Sequence, residues 1–144
     1  MNLRLSSETI HASSVAIDGR AVLISGLSGA GKSDLALRLI DRGFTLVSDD
    51  QTIVQKRGER LHASAPATIA GKLEVRGIGI VDMPHTGDVP VALVVELTSA
   101  VQRLPDDSRT RMICGLSVPL ISLDALTASA PSKVAIALDL FGLK

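Results

Sequence analysis

The sequence predicts an α/β domain in which a mixed β-sheet is flanked by helices. Hydrophobic residues make up 46% of the 144-residue chain but aromatic residues only 1%, so Leu, Ile, Val and Ala must form the core. Such an aliphatic core is typical of a sheet covered by helices. Strand-like and helix-like segments also follow one another along the chain, with a hairpin pattern among them. No linker divides them, and we expect residues 1–144 to form a single domain.

The individual elements follow from apolar patterns and from turn or cap residues. Gly43 is a natural C-terminal stop for a first helix, and Pro131 suits the first turn of a last one. A Gly-containing turn near Arg57–Gly58 predicts a hairpin over residues 52–62. The remaining predicted strands are 20–25, 44–48, 90–97 and 118–123, and the predicted helices are 32–42, 106–113 and 131–142.

Charge and composition exclude several classes of partner. Fifteen basic residues balance fifteen acidic ones, and no charged block occurs, so neither nucleic acid nor a membrane is an expected partner. No apolar stretch resembles a secretory signal or a membrane span, which predicts a cytoplasmic protein. The single cysteine, Cys114, fits a reducing compartment, and we expect it to be a small core residue.

The strongest motif is the segment Gly26–Ser33, GLSGAGKS, which matches the phosphate-loop pattern G-x4-G-K-[ST]. Glycines let the backbone turn tightly and direct several N–H groups at one phosphate, while the following helix adds its positive dipole end. Lys32 is expected to reach the β- and γ-phosphates and Ser33 to ligate Mg²⁺. The predicted ATP-binding residues are Gly26, Leu27, Ser28, Gly29, Ala30, Gly31, Lys32 and Ser33.

Two adjacent acidic residues, Asp49 and Asp50, follow the predicted strand 44–48. Because the strands 20–25 and 44–48 should end at the same sheet edge, these carboxylates are expected beside the phosphate loop. One of them can hold magnesium, and the other can accept a proton from an attacking hydroxyl or lie beside the γ-phosphate. The alternative is a solvated turn, in which Asp is common.

The segment 73–82, LEVRGIGIVD, combines charged residues with two glycines. If it is extended, Glu74 and Arg76 point to the same face. Gly77 and Gly79 remove side chains where a ligand or another backbone could approach. An edge strand with a surface ion pair is the alternative.

Together, His11, the GLSGAGKS loop, the Asp49–Asp50 pair and LEVRGIGIVD resemble the catalytic domain of HPr kinase/phosphorylase. This bacterial enzyme phosphorylates a serine of the phosphocarrier protein HPr and also removes that phosphate. The resemblance covers about residues 10–85 well and the remainder loosely. It implies a P-loop fold of the HPr kinase and PEP carboxykinase kind.

The resemblance also implies residue roles. Lys32 would contact phosphate, and Asp50 would accept the serine proton in the kinase direction and donate it in the reverse direction. His11 would assist that proton transfer, although a histidine at such a position is often only a surface residue. The remaining assignments are Ser33, Asp49 and Glu74 at the magnesium ion, and Arg103 as a catalytic arginine or, alternatively, a solvent-facing one.

The same resemblance implies that the partner is an HPr-like phosphocarrier of the sugar phosphotransferase system. It also implies that the chain forms a homo-oligomer, which in this family is a hexamer. Only ten residues precede His11, so we expect a compact single-domain form without the family's N-terminal regulatory domain. The family's Arg- and Gly-rich stretch linked to dephosphorylation is replaced by LDALTA at residues 123–128. Whether the reverse reaction operates therefore stays open.

Two other functions remain alternatives. One is a P-loop kinase of a small molecule, or a simple NTPase. No N-K-x-D stretch favours a GTPase, and no arginine-rich lid favours a nucleoside monophosphate kinase. The other is a non-catalytic regulatory module that binds ATP.

Overall fold

The computed structural model describes residues 6–101, 104 and 109–144. Within these residues the chain forms eleven strands and two α-helices. The strands are β1 (Ser7–Ile10), β2 (Ala12–Ile17), β3 (Arg20–Ser25), β4 (Thr45–Ser48), β5 (Thr52–Arg57), β6 (Arg60–Ser64), β7 (Lys72–Val75), β8 (Gly79–Asp82), β9 (Val89–Leu97), β10 (Thr110–Ile113) and β11 (Leu116–Leu123). The helices are α1 (Lys32–Asp41) and α2 (Ala130–Phe141), and a short 3₁₀ turn spans Ala67–Ile69.

The large sheet is mixed, as predicted, and β9 lies at its centre. This strand runs parallel to β3 on one side and to β11 on the other, and its first residues pair antiparallel with β6. Strand β2 lies between β3 and β4 and is antiparallel to both. Strands β3 and β4 therefore run in the same direction, and their last residues, Ser25 and Ser48, lie at the same edge of the sheet.

The two faces of the sheet are buried in different ways. Val22 and Ile24 of β3 face a core that contains the apolar residues of both helices, such as Leu35 and Val134. The alternate residue Leu23 faces a second core formed by strand residues. The sheet thus curls over itself on one face and carries both helices on the other, which explains why β3 is apolar on both faces. Neither of the helices in the described residues has the length and hydrophobicity to cross a bilayer.

Most predicted elements are confirmed, but the helix over residues 106–113 is wrong where the structure describes it. Thr110–Ile113 is strand β10, which pairs with β11 across a two-residue turn at Cys114–Gly115. Both turn residues have positive φ, 50° and 80°, which is the geometry of a tight hairpin turn. A short apolar run does not distinguish a strand from a helix, and here the pairing partner decides.

Cys114, predicted to be a small core residue, is only half-buried in this turn, where it packs against the second core. Its backbone N–H donates to the Glu8 carboxylate at 2.8 Å. Partial burial, and then the charge of Glu8, raise the pKa of the Cys114 thiol. The thiol therefore stays protonated at neutral pH.

The segment 73–82 forms a separate two-stranded sheet, the β7–β8 hairpin, and not one extended strand. The chain reverses after Val75, where Gly77 adopts φ 86°. Glu74 lies opposite Ile80, and Arg76 lies in the turn, so the two charged residues do not share a strand face. Among the described residues no ion pair joins Glu74 to Arg76, and the surface ion pair of this hairpin joins Lys72 to Asp82 at 2.9 Å.

Candidate active site

The glycine-rich loop Gly26–Ser33 leaves the end of β3 and enters the first turn of α1. Gly29 and Gly31 have φ of 84° and 100°, a left-handed conformation that favours glycine. A Cβ atom at Gly31 would also lie 3.3 Å from the Cβ of Ala125. Since the first amides of a helix have no intrahelical acceptor, this loop presents backbone donors at one place. The loop Gly26–Ser33 is therefore suited to binding an anion.

The Lys32 ammonium group is buried and is wrapped by the loop that precedes it. Its Nζ donates to the carbonyl oxygens of Gly26 at 3.0 Å and Leu27 at 3.2 Å. These neutral acceptors do not neutralise the lysine charge. The ammonium group therefore remains available to an anionic ligand at the loop.

Asp49 follows β4 and is the inner carboxylate of the site, with 8% of its surface exposed. Its Oδ1 accepts hydrogen bonds from the hydroxyls of Ser33 at 2.6 Å and Ser13 at 2.9 Å. Its Oδ2 accepts one from the backbone N–H of Glu74 at 2.9 Å. Three donors from three different elements thus fix this carboxylate beside the glycine-rich loop, where the sequence predicted it.

Asp50 is the outer carboxylate, and its side chain is 61% exposed. Its Oδ1 lies 2.7 Å from Nε2 of His11, which is 56% exposed and lies between β1 and β2. The Asp50 backbone has φ 66°, a conformation that costs energy for a residue other than glycine. The pairing of His11 with Asp50 agrees with the predicted proximity, while their role in proton transfer stays a prediction.

The oxygen-rich pair formed by Ser33 and Asp49 fits a hard cation such as Mg²⁺, which prefers hydroxyl, carboxylate and water oxygens. Glu74 joins this group through its backbone N–H, and its side chain is exposed on the β7–β8 hairpin. In the part of the chain that the structure describes, no three His, Cys, Asp or Glu side chains are grouped to hold a metal. Of the predicted metal ligands, Ser33 and Asp49 are brought into direct contact.

Two further predicted features are a catalytic arginine and the LDALTA segment. Arg103, the predicted catalytic arginine, is not among the described residues. The LDALTA segment, residues 123–128, lies against α1, where Arg38 donates to the carbonyl oxygens of Ala125 and of Thr127. Leu126 in this segment is exposed.

Ser13 is a site residue that the sequence did not reveal. It lies in β2, is completely buried, and contacts both acidic residues through its hydroxyl. A serine within the segment ASSVAI resembles any small residue of a buried strand. Only the pairing of β2 with β4 places it opposite the end of β4.

Comparison with known proteins identifies the protein family of this chain. The family model of the HPr Serine kinase C-terminal domain matches residues 4–137. The chain belongs to this family. The matched residues include the glycine-rich loop, both acidic residues and the β7–β8 hairpin.

Relatives and a solved structure agree with the family assignment. The chain is 37% identical over 127 residues to the HPr kinase/phosphorylase of Chlorobium luteolum, and 37% identical over 134 residues to that of Xylella fastidiosa. These matches cover 78% and 82% of this chain, but 38% and 42% of the relatives. The chain thus spans about two fifths of the length of these relatives.

The structure of the Hpr(Ser) kinase/phosphatase from Coxiella burnetii matches with a TM-score of 0.79 and 31% sequence identity. The match covers 92% of this chain and 94% of that one. The predicted family resemblance and the mixed α/β fold class are therefore confirmed.

Proposed function

We propose that the chain is an ATP- and Mg²⁺-dependent serine kinase that phosphorylates an HPr-like phosphocarrier protein of the sugar phosphotransferase system. The observation that carries this proposal is the 2.6 Å contact between Ser33 and Asp49, with the Asp50–His11 pair next to it. In a chain of the HPr kinase family, this arrangement puts candidate phosphate, metal and proton-transfer groups at one sheet edge. We further propose a cytoplasmic homo-oligomer, a hexamer as the family resemblance implies.

Nucleotide binding is assigned to the loop Gly26–Ser33. Its backbone amides and the positive end of α1 would hold the phosphates of ATP. Lys32 would exchange its two carbonyl acceptors, at 3.0 and 3.2 Å, for phosphate oxygens. A charged acceptor makes this exchange favourable, because a charge-assisted hydrogen bond is stronger than one to a neutral carbonyl.

Ser33 and Asp49 would hold the metal ion, together with Glu74 if its exposed side chain turns toward the site. When bound, Mg²⁺ neutralises charge that develops on the phosphate oxygens. Asp49 is already oriented by donors from β2, α1 and β7. Little reorganisation of this carboxylate is then needed when the metal binds.

Proton transfer is assigned to Asp50. A serine hydroxyl is a weak nucleophile, and an exposed carboxylate at the mouth of the site can accept its proton as the oxygen attacks the γ-phosphorus. The proton passes from the serine oxygen to Asp50 while the γ-phosphoryl group leaves ADP. His11, 2.7 Å from Asp50, would orient the carboxylate and assist this transfer.

The reverse reaction would use the same carboxylate in its protonated form. Inorganic phosphate attacks the phosphoserine phosphorus, the serine oxygen leaves, and Asp50 returns the proton to it. One site can therefore support both directions. The LDALTA segment differs from the family's dephosphorylation stretch, so we propose the kinase direction as the main activity.

A labelling experiment tests the proposal. The wild-type protein is incubated with γ-labelled ATP, Mg²⁺ and a purified HPr-type protein, beside Lys32→Ala and Asp50→Asn. We expect label on a serine of HPr with the wild type, and none with either variant. ATP hydrolysis without HPr labelling would instead favour an NTPase or small-molecule kinase, and binding without turnover a regulatory module.

A further inference from the structure

We propose that Ser13 is a positioning residue that holds the two acidic residues of the site in fixed relation to each other. The proposal rests on the proposed function for the roles of Asp49 and Asp50. The evidence for the role of Ser13 is the set of hydrogen bonds that its buried hydroxyl group makes. Ser13 would touch neither nucleotide nor acceptor protein and would act through the two aspartates.

The Ser13 hydroxyl has one proton and two lone pairs, and both kinds of group are used. It donates to Oδ1 of Asp49 at 2.9 Å and accepts from the backbone N–H of Asp50 at 3.0 Å. One atom therefore connects the side chain of the inner aspartate to the backbone of the outer one. Ser33 shares the same Asp49 oxygen at 2.6 Å, which links the hydroxyl to the glycine-rich loop.

The backbone around Asp50 needs such a restraint. Its φ of 66° is uncommon for a residue other than glycine, and the other bonds that close the turn are local ones, from the Gln51 N–H to the Asp49 carbonyl at 2.7 Å and from the Ser48 hydroxyl to the Gln51 carbonyl. Because Ser13 is completely buried, water does not readily replace its hydroxyl. Without that hydroxyl, the Asp50 N–H would lose its acceptor and the Asp49 carboxylate would lose one of three donors.

The position of Ser13 follows from the strand register. In the β2–β4 pair, Ser14 lies opposite Ser48, and the register shifts between Ser14 and Val15. Because the two strands are antiparallel, Ser13 lies one position past Ser48, the last residue of β4, and so next to the turn that contains Asp49 and Asp50. The irregular register therefore directs Ser13 into the turn that carries both carboxylates.

The adjacent serine supplies a matched control. Ser14 is also completely buried in β2, and its hydroxyl shares a 2.9 Å hydrogen bond with that of Thr52. It contacts neither aspartate side chain. Ser14→Ala thus removes an equally buried hydroxyl from the same strand without changing the proposed link.

Residues that orient metal-binding groups typically affect metal affinity or activity by about 10–100-fold. We expect Ser13→Ala to lower the rate of HPr phosphorylation by that factor and to raise the Mg²⁺ concentration needed for half-maximal rate. We also expect faster hydrogen exchange at the Asp50 amide, measured by NMR. Ser13→Thr, which keeps the hydroxyl, should recover most of the rate, and Ser14→Ala should behave as the wild type in both measurements.

Ser13→Cys provides a second test if the alanine variant does not fold, because a thiol is similar in size but a weak hydrogen-bond partner. The proposal is overturned if the Ser13→Ala or Ser13→Cys variant matches Ser14→Ala in Mg²⁺ requirement and Asp50 exchange. If the wild type itself does not phosphorylate HPr, the proposed function fails. Amide exchange and Mg²⁺-dependent ATP affinity, both measured without turnover, then still decide the role of Ser13.

Discussion

The region around Asp49 and the region around Asp50 differ sharply, although the two residues are neighbours in the chain. Asp49 is 8% exposed and accepts hydrogen bonds from Ser13, Ser33 and the Glu74 backbone. The Asp50 side chain is 61% exposed, and among the described residues its hydrogen-bond partner is His11. The inner region is a rigid network, and the outer one is an open pair at the surface.

This difference indicates how one acidic pair can serve two purposes. A buried carboxylate held by three donors has a fixed position, which suits the orientation of a metal. An exposed carboxylate can meet the hydroxyl of an incoming protein and exchange a proton. Carboxylates in different environments often divide roles in this way. Substitutions in one region at a time test this division of roles.

The largest effect is expected for Asp50→Asn in the outer region. General acid–base catalysis contributes about 10²–10⁴-fold, so we expect the phosphorylation rate to fall by about 1,000-fold. The amide has nearly the same shape and the residue is exposed, so ATP affinity and thermal stability should stay close to wild type. A radiolabel time course, calorimetry and a thermal melt check these points. A near-normal rate would show that Asp50 is not the base.

Asp49→Ala in the inner region should destabilise the fold, which Asp50→Asn should not, and should also slow phosphoryl transfer. The change leaves the buried Ser13 hydroxyl and the Glu74 N–H without an acceptor, and an unsatisfied buried group costs about 1–3 kcal/mol. We expect the free energy of unfolding to fall by about 3 kcal/mol in urea titrations.

Asp82→Ala is the control for that experiment, because Asp82 is exposed and forms only a surface ion pair with Lys72. Such pairs contribute about 0–1 kcal/mol. If Asp49→Ala proved no more destabilising than Asp82→Ala, the inner network would not hold the fold at this edge.

The smallest effect is expected for His11→Ala. The partners are both more than half exposed, so the pair adds no more than about 1 kcal/mol to stability, and the melting temperature should hardly change. The phosphorylation rate should fall by about tenfold, which is less than for Asp50→Asn because His11 acts through that residue. A loss as large as that of Asp50→Asn would place His11 in the reaction itself.

Local patterns predicted the elements that position the glycine-rich loop. Strand β3 is bounded as expected at 20–25, and α1 ends at Asp41, just before Gly43 with φ 102°. The loop motif and the positions of Asp49 and Asp50 were predicted because strand ends and glycine spacing are local signals. The contact between Ser33 and Asp49 agrees with the shared edge inferred for β3 and β4.

The features that the sequence did not reveal depend on strand pairing and side-chain contacts, which local patterns do not specify. Strand β10 was predicted as a helix, since its four residues carry no period of their own and are fixed by pairing with β11. The β7–β8 hairpin was missed because Arg76–Gly77–Ile78 does not resemble a common turn dipeptide. Ser13 was missed because its importance arises from a partner 36 residues away.

All of the proposed roles depend on binding of the polyphosphate of a magnesium nucleotide by the amides of the loop Gly26–Ser33 and by Lys32. Isothermal titration calorimetry of the wild-type protein with ATP, with and without Mg²⁺, tests it most directly. We predict saturable one-site binding that strengthens with Mg²⁺ and weakens by about 10–100-fold in Lys32→Ala, the effect of losing a charged hydrogen-bond donor. Absence of binding by the folded wild-type protein, or equal affinity of Lys32→Ala, would contradict the claim.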